Sequence, residues 1–559
     1  MVAVKVGQYL IQRLKEVGIE TIFGVPGDYN MPLLDMIEDD KQLIWGNNAN
    51  ELNASYAADG YARIRGVGAV VTTFGVGELS AAAGIAGSYS EMLPVIHIVG
   101  TPNTKSQAEG AILHHTLGNG NFQVFVDMFA KICCASTHLT RDTAIKEIDR
   151  VIQESIVRKR TGYIGIPIDL INYEVNIPDI RPLDLSLPKN PAKTQDVCLK
   201  VVLEAINRAQ HPIIIVDACI QRHNLQKEAA AFIKRSGFPT YVAPMGKGLV
   251  PEEYANYRGC YAGTITLEGI AKEVQLADLI IELGSIKSDF NTGGFTYGLD
   301  RDKTISLHSF ATNVFYADYD KVNMTEFLPL LTSHLPQQPR HFELGPRCEP
   351  APISEGTEIT HNYFWNKVPD YIDDNSIIVA ETGTSEFASF NMRASKNAFF
   401  IAQVLWGSIG YSVGAALGAA MAARQRRVYL FCGDGSFQLT CQEVSVMLRH
   451  GLTPVLFILN NDGYLIEKLI HGPHRDYNNF QMWQYGKSLD YFGAPLERNI
   501  KLGSSNVGYQ GKVTNRSEFE AAMKEVHSQR DRIHLIEVVM PRFDAPRELI
   551  LQVETSENR

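Results

Sequence analysis

The chain has 559 residues, 45% of them hydrophobic and 20% charged, a globular composition that excludes a disordered, fibrous or collagen-like polymer. Lysine and arginine number 52 against 62 aspartates and glutamates, a formal net charge of −10, which argues against a phosphate polymer and so against a nucleic-acid partner. Eight cysteines lie scattered without a CxxC pair, which suits a reducing compartment, and no apolar run approaches the roughly 18 residues of a spanning helix, so no membrane partner is expected.

In chain order, Val2 to Val17 carries basic residues but also Glu16 and no cleavage motif, and it runs into a strand-like segment at Ile19 to Val25. It reads as the first helix of a domain. Leu43 to Trp45 reads as a strand, Asn50 to Arg63 as an alanine-rich helix and Leu93 to Val99 as a buried strand. The glycines Gly110, Gly118 and Gly120 mark a loop around the tandem His114-His115. Two proline-rich stretches, Pro178 to Thr194 and Ser333 to Glu358, read as linkers and divide the chain into domains at 1–180, 190–345 and 355–559. Within each domain short Val/Ile/Leu runs alternate with amphipathic stretches, so the expected fold class is α/β, three domains with parallel sheets flanked by helices.

The richest stretch follows the strand-like run Val428 to Cys432. Gly433-Asp434-Gly435-Ser436 opens a helical pattern with apolar residues at Phe437, Cys441, Val444 and Leu448, and Gly451 stops it. The next strand, Pro454 to Leu459, ends at Asn460-Asn461-Asp462-Gly463. The two loops then lie on the same carboxyl edge of one βαβ unit, where such sheets bind ligands. Free N–H groups at the helix start suit a diphosphate. The Asp434 carboxylate, the Asn461 amide oxygen and the Gly463 carbonyl make an oxygen set fitted to Mg²⁺ that keeps phosphate oxygens as its other ligands. Either loop alone would read as an ordinary turn; the pair at this spacing points to a metal diphosphate.

With Val25-Pro26-Gly27-Asp28-Tyr29-Asn30, Ala49-Asn50-Glu51-Leu52-Asn53, His114-His115-Thr116, Ala380-Glu381-Thr382-Gly383-Thr384, Gln403 to Gly410 and Gly463-Tyr464 through Glu467 to Pro473, these motifs fall in order along the chain. On them the chain resembles the thiamine diphosphate-dependent enzymes, specifically the pyruvate decarboxylase group of 2-oxo acid decarboxylases. The resemblance implies a pyrimidine-binding first domain, a central domain and a diphosphate-binding third domain, with thiamine diphosphate and Mg²⁺ as cofactors. It implies non-oxidative decarboxylation of a 2-oxo acid, foremost pyruvate to acetaldehyde and CO2, through the deprotonated cofactor and an enamine. It also implies a homodimer whose chains complete each other's active sites, assembled as a homotetramer in the cytoplasm.

The same resemblance gives the residues their roles. Taken alone, Glu51 reads as a carboxylate complementing a helix dipole; by resemblance it bonds the aminopyrimidine ring and promotes removal of the thiazolium C2 proton. Ile409, by itself a plain core residue, becomes the wedge that bends the cofactor, with Gly407 offering its carbonyl. Thr382, Thr384, Asp434, Gly435, Ser436, Asn461 and Gly463 complete the cofactor set. Asp28, His114, His115 and Glu467 form the acid–base set, although Asp28 alone could be a helix cap and Glu467 a surface carboxylate. Phe290 matches an aromatic that narrows the substrate pocket and favours a small 2-oxo acid. Two positions depart from the pattern: Glu386 stands where relatives carry an apolar residue, and either alters pocket polarity or points to solvent; Met92 replaces a histidine that elsewhere accompanies Cys219 in substrate activation. The alternatives are an aromatic or branched-chain 2-oxo acid decarboxylase, a carboligase of the acetohydroxyacid synthase type, which the absence of GxGxxG in the middle segment disfavours, and a non-catalytic protein on the same fold.

Overall fold

The strand-and-helix alternation of the first third of the chain builds an all-parallel sheet of six strands, in the order Ile44–Trp45, Thr21–Gly24, Gly68–Thr73, Val95–Thr101, Gly162–Pro167 and Ala135–His138. The structure, a computed structural model, describes residues 2–178 and 180–557. The last third repeats this arrangement with Phe399–Ile401, Ile377–Ala380, Val428–Gly433, Val455–Asn460, Ile533–Val539 and Val507–Val513. Counted within its own segment, each sheet runs second, first, third, fourth, sixth, fifth, so the two outer domains share one topology. Their central strands are buried from end to end because helices cover both faces.

The middle sheet is wound differently. Tyr257–Cys260, Thr240–Val242, Pro212–Val216, Leu279–Leu283 and Thr304–Leu307 run parallel, and Ala311–Val314 and Ala317–Asp320 extend the edge antiparallel. The order reverses between Pro212–Val216 and Leu279–Leu283, the crevice where doubly wound sheets receive nucleotides. Here the chain itself fills that crevice: the short helix Cys219–Arg222 packs so close that a Cβ on Gly284 would lie 2.7 Å from the Cys219 Cβ.

Two local expectations are corrected. Val2 to Val17 is not one helix: Val2–Lys5 forms a strand paired antiparallel with Glu174–Ile177, and the helix spans Val6–Glu16. Ladder bonds to a distant strand outweigh local helix propensity there. The pattern from Phe437 to Leu448 is two helices, Asp434–Thr440 and Glu443–Arg449. The Thr440 carbonyl accepts from the Asn53 side chain (3.4 Å), and the Thr440 hydroxyl donates to the Gly410 carbonyl (2.6 Å), so tertiary partners replace the helical ones.

The outer domains of one chain are joined by helix Glu51–Arg65 lying on helix Tyr411–Ala422. A Cβ on Gly60 would come within 2.2 Å of the Ala415 carbonyl oxygen, and one on Gly418 within 1.9 Å of that of Ala57, so glycine permits backbone-to-backbone contact across a buried seam. Asn50 caps the first helix by accepting from the Asn53 N–H at 2.8 Å, which fixes Glu51 in its first turn. Among the described residues no helix is long and apolar enough to cross a membrane.

Candidate functional site

The carboxyl edge of the third sheet opens onto a cavity of about 620 Å³. Asp434 starts the helix after Val428–Gly433 and is almost fully buried. One carboxylate oxygen accepts the Gly435 N–H at 2.9 Å and the other the Gly463 N–H at 3.3 Å, so both loops are tied to one side chain. Burial pushes the Asp434 carboxyl up to about 6, and a cation beside it would reverse that shift. Asn461 is also buried, yet its side-chain oxygen has no hydrogen-bond partner. An orphaned amide oxygen and an electron-rich carboxylate on facing loops fit a hard divalent cation. The Tyr464 ring closes over Gly435, where a Cβ would meet it at 2.6 Å.

Across the cavity lie Thr382, Thr384 and Ile409, with Ser436 in the first turn of the helix Asp434–Thr440 and Glu467 on the helix Leu465–Ile470. The Thr382 hydroxyl is another buried group without a partner. Desolvation lifts the Glu467 carboxyl above its ordinary range. Gly407 takes φ +62, a left-handed backbone that glycine adopts without steric cost, and its N–H donates to the Gln403 carbonyl at 2.8 Å.

The segment carrying Gly407 and Ile409 is held by two buried glutamates that sequence reasoning gave no role. One Glu91 oxygen accepts the N–H groups of Leu405 (2.8 Å) and Trp406 (3.3 Å). Glu381 accepts the N–H groups of Gly410 (2.9 Å) and Ser412 (3.1 Å). The two carboxylates grip the segment on either side, and Glu91 pairs in turn with Arg63 and Arg222. Glu381 falls inside a motif that marks the family, but nothing in the sequence around Glu91 or Glu381 indicates which N–H groups they hold.

A second cluster sits on the first domain. Asp28 follows strand Thr21–Gly24 in a turn locked by Asn30, whose side chain accepts the Gly27 N–H and donates to the Val25 carbonyl at 3.1 Å. His114 Nε2 lies 2.6 Å from Asp28 Oδ2, and the His114 and His115 ring centroids are 4.7 Å apart. The Tyr29 ring stacks on His114 at 5.1 Å and meets His115 edge-on. All three side chains of this cluster reach solvent. Glu51 is half-buried beside Gly77, where a Cβ would lie 3.2 Å from its carboxylate, which takes no side-chain donor among the described residues.

The structure therefore brings Asp434, Asn461, Gly463, Thr382, Thr384, Ile409 and Glu467 to one cavity, and Asp28, His114 and His115 to one cluster. It does not unite them: Glu51, Asp28, His114 and His115 are absent from the lining of that cavity. Phe290 packs against Phe387 at 5.2 Å, and neither Phe290 nor Glu386 lines it. Of the two alternatives for Glu386, exposure to solvent is the one overturned: the side chain is fully buried, with both oxygens unpartnered. Cys219 is buried too, its sulfur 3.5 Å from that of Met92, and burial pushes its thiol up to about 11.

Fold and cavity together define a thiamine diphosphate-binding enzyme. Three family profiles match the chain in order: "Thiamine pyrophosphate enzyme, N-terminal TPP binding domain" over residues 4–124, the central domain over 199–322 and the C-terminal TPP binding domain over 381–538. Pyruvate decarboxylase isozyme 3 of Saccharomyces cerevisiae is 43% identical over 99% of this chain and 98% of its own length. Pyruvate decarboxylase of Aspergillus fumigatus is 44% identical over 100% and 97%, and that of Candida glabrata 42% identical over 99% and 98%. The chain belongs to the pyruvate decarboxylase family of thiamine diphosphate-dependent 2-oxo acid decarboxylases, whose cofactors are thiamine diphosphate and a divalent metal ion.

Proposed function

We propose that the protein converts pyruvate to acetaldehyde and CO2, with Mg²⁺ as the divalent ion and with each active site completed by two chains. The observation that carries the reading is the buried, partnerless Asn461 oxygen on the loop facing Asp434, an acceptor placed to ligate the ion of a metal diphosphate. Bound thiamine diphosphate supplies a nucleophilic carbon and an electron sink for the pair released as CO2 departs. Asp434, Asn461 and the Gly463 carbonyl would hold the ion; Gly435, whose own N–H is taken by Asp434, lines the diphosphate region, and the Ser436 N–H in the first turn of the helix would donate to it. Ile409 would support the cofactor from the cavity wall, and the Gly407 carbonyl, on the segment held by Glu91 and Glu381, would accept from its amino group. Thr382 and Thr384 line the wall beside it.

Glu51, half-buried and free of side-chain donors among the described residues, would hold the cofactor's pyrimidine ring by accepting a hydrogen bond from it and would favour the cofactor's activation. Asp28, His114, His115 and Glu467 move protons for the substrate, the first three as a solvent-connected group. Phe290 and Glu386 bound the substrate region from behind Phe387. Glu467 stands with the diphosphate residues and the Asp28 cluster stands elsewhere on the same chain, so a second copy brings them together, as a homodimer and then a homotetramer. A cytoplasmic location agrees with eight free cysteines. The test is CO2 release from pyruvate, phenylpyruvate, indolepyruvate and 2-oxoisovalerate, with and without thiamine diphosphate plus Mg²⁺. Cofactor-dependent release fastest with pyruvate is the expected result. Faster release from a bulkier acid moves the assignment to an aromatic or branched-chain decarboxylase, and product ligation without net aldehyde moves it to a carboligase.

A further inference from the structure

Adjacent side chains on an extended backbone project to opposite sides, so two neighbouring histidines do not ordinarily converge on one point. Here they do. His115 has φ +66, in the left-handed region, which swings its ring to the same side as that of His114. The conformation is held from behind: the His115 carbonyl abuts Gly75, where a Cβ would be only 2.0 Å away, and the Gly75 N–H is in turn fixed by Glu78 at 2.7 Å. Tyr29 fixes both rings from the side, and Asn30 locks the turn that presents Asp28. One donor atom from each of Asp28, His114 and His115 lies within 4.8 Å of the others, and the cluster opens to solvent.

We propose that Asp28, His114 and His115 form a binding site for a divalent transition-metal ion of the Zn²⁺ or Co²⁺ class, separate from the all-oxygen site at Asp434. Two imidazole nitrogens and one carboxylate oxygen on one side, with water free to occupy the rest, are the donor set of open zinc and 2-His-1-carboxylate centres. Mg²⁺ prefers oxygen donors and retains its waters, so it is drawn to Asp434 and Asn461 and leaves the histidines free. The entering ion replaces the hydrogen bond between His114 Nε2 and Asp28 Oδ2 by ligation of both atoms, the ring's one N–H then sitting on Nδ1. On the reading of these residues as proton carriers, an occupied cluster cannot carry protons, and the ion inhibits turnover; the binding itself rests on geometry alone.

The test uses the assembled enzyme with thiamine diphosphate and saturating Mg²⁺, titrated with Co²⁺ while its visible ligand-field bands are followed, and with Zn²⁺ by calorimetry. The expected result is one additional ion per chain with the spectrum of mixed nitrogen and oxygen ligation, and affinity lowered roughly ten-fold or more in His114→Ala, His115→Gln and Asp28→Asn. Asp434→Asn keeps the same affinity for Co²⁺ at the histidines. Circular dichroism establishes that each variant is folded, and His114→Ala, at an exposed position, serves if His115→Gln is not. Undiminished Zn²⁺ and Co²⁺ binding in the folded His114 and Asp28 variants overturns the site. Zn²⁺ bound at the cluster with unhindered decarboxylation upholds the site and overturns the proton-carrying role instead.

Discussion

Replacing Glu386 by glutamine tests whether a buried, partnerless carboxyl tilts the stability of the whole chain with pH. Glu386 has no exposed surface, both its oxygens lack hydrogen-bond partners, and the charged groups that act on it, Glu91, Glu381 and Asp289, are all acidic. Desolvation first, then repulsion from Glu91 and Glu381, raises its pKa well above the ordinary carboxylate value. The folded protein thus retains a proton that the unfolded chain, titrating at about 4.3, has already lost. The stability from this group is complete below that unfolded value and is lost as pH rises toward the folded one, at about 1.4 kcal/mol per pH unit. Other buried carboxyls tilt the same way, Glu78 and Glu443 at about 7 and Asp217 at about 6, but they are common to both proteins and cancel in the difference. Glutamine has nearly the same shape and no proton to lose. For domains of this size roughly 2–4 °C accompanies each kcal/mol, so the melting temperature of Glu386→Gln should gain on the parent by roughly 3–5 °C per pH unit above about pH 5. Parallel curves, or a gap that closes as pH rises, would refute the reasoning.

Glu51→Gln should lower turnover by about 10²- to 10⁴-fold while thiamine diphosphate affinity, read from intrinsic fluorescence, changes little; near-normal turnover would remove its proposed role. If each site takes Glu51 from one chain and Asp434 from another, inactive Glu51→Gln and Asp434→Asn chains co-expressed as hybrids regain activity, because one site of each hybrid carries neither change; activity no better than the parents' sum argues for sites built within one chain. Cys219→Ser should leave any sigmoidal dependence on substrate intact, since burial holds the thiol neutral, up to about 11, although both Met92 and the His308 ring touch its sulfur; hyperbolic kinetics would contradict this. Asn461→Ala should weaken Mg²⁺-dependent cofactor binding by roughly ten-fold or more, measured by calorimetry with the metal held constant.

The diphosphate loops were legible because their geometry is local. A strand followed by Gly433-Asp434-Gly435 and the next ending in Asn460-Asn461 leaves little choice about which edge they share, and the parallel sheet obeys a handedness rule. His114, His115 and Asp28 were legible as residue types, but not the left-handed His115 that turns the rings together. Glu91 and Glu381 escaped because their meaning lies in contacts 29 to 315 residues away along the chain, with N–H groups that no pattern marks. The same holds for strand Val2–Lys5, whose partner is more than 165 residues distant, and for Glu386, whose burial depends on how the first and third domains meet.

That meeting also bears on how the two half-sites come together. A hinge between the outer domains of one chain could in principle carry the Asp28 cluster to the Asp434 cavity. The seam between helices Glu51–Arg65 and Tyr411–Ala422 argues against it, because closure would have to separate backbones that touch through Gly60, Gly414 and Gly418. It would also expose Asp59, which pairs with Arg63 at 2.8 Å and accepts from the Tyr411 and Ser88 hydroxyls, all buried. Breaking one partner from a buried charge network typically costs about 3–5 kcal/mol, and sliding this seam breaks several contacts at once. A second chain meets no such obstacle: exposed apolar groups such as Leu439 and Tyr464 stand at the cavity mouth, and Ile112 and Leu117 flank the histidines. Rigid outer domains within each chain and exposed half-sites at their surfaces favour the two-chain site proposed above over closure of one chain's domains.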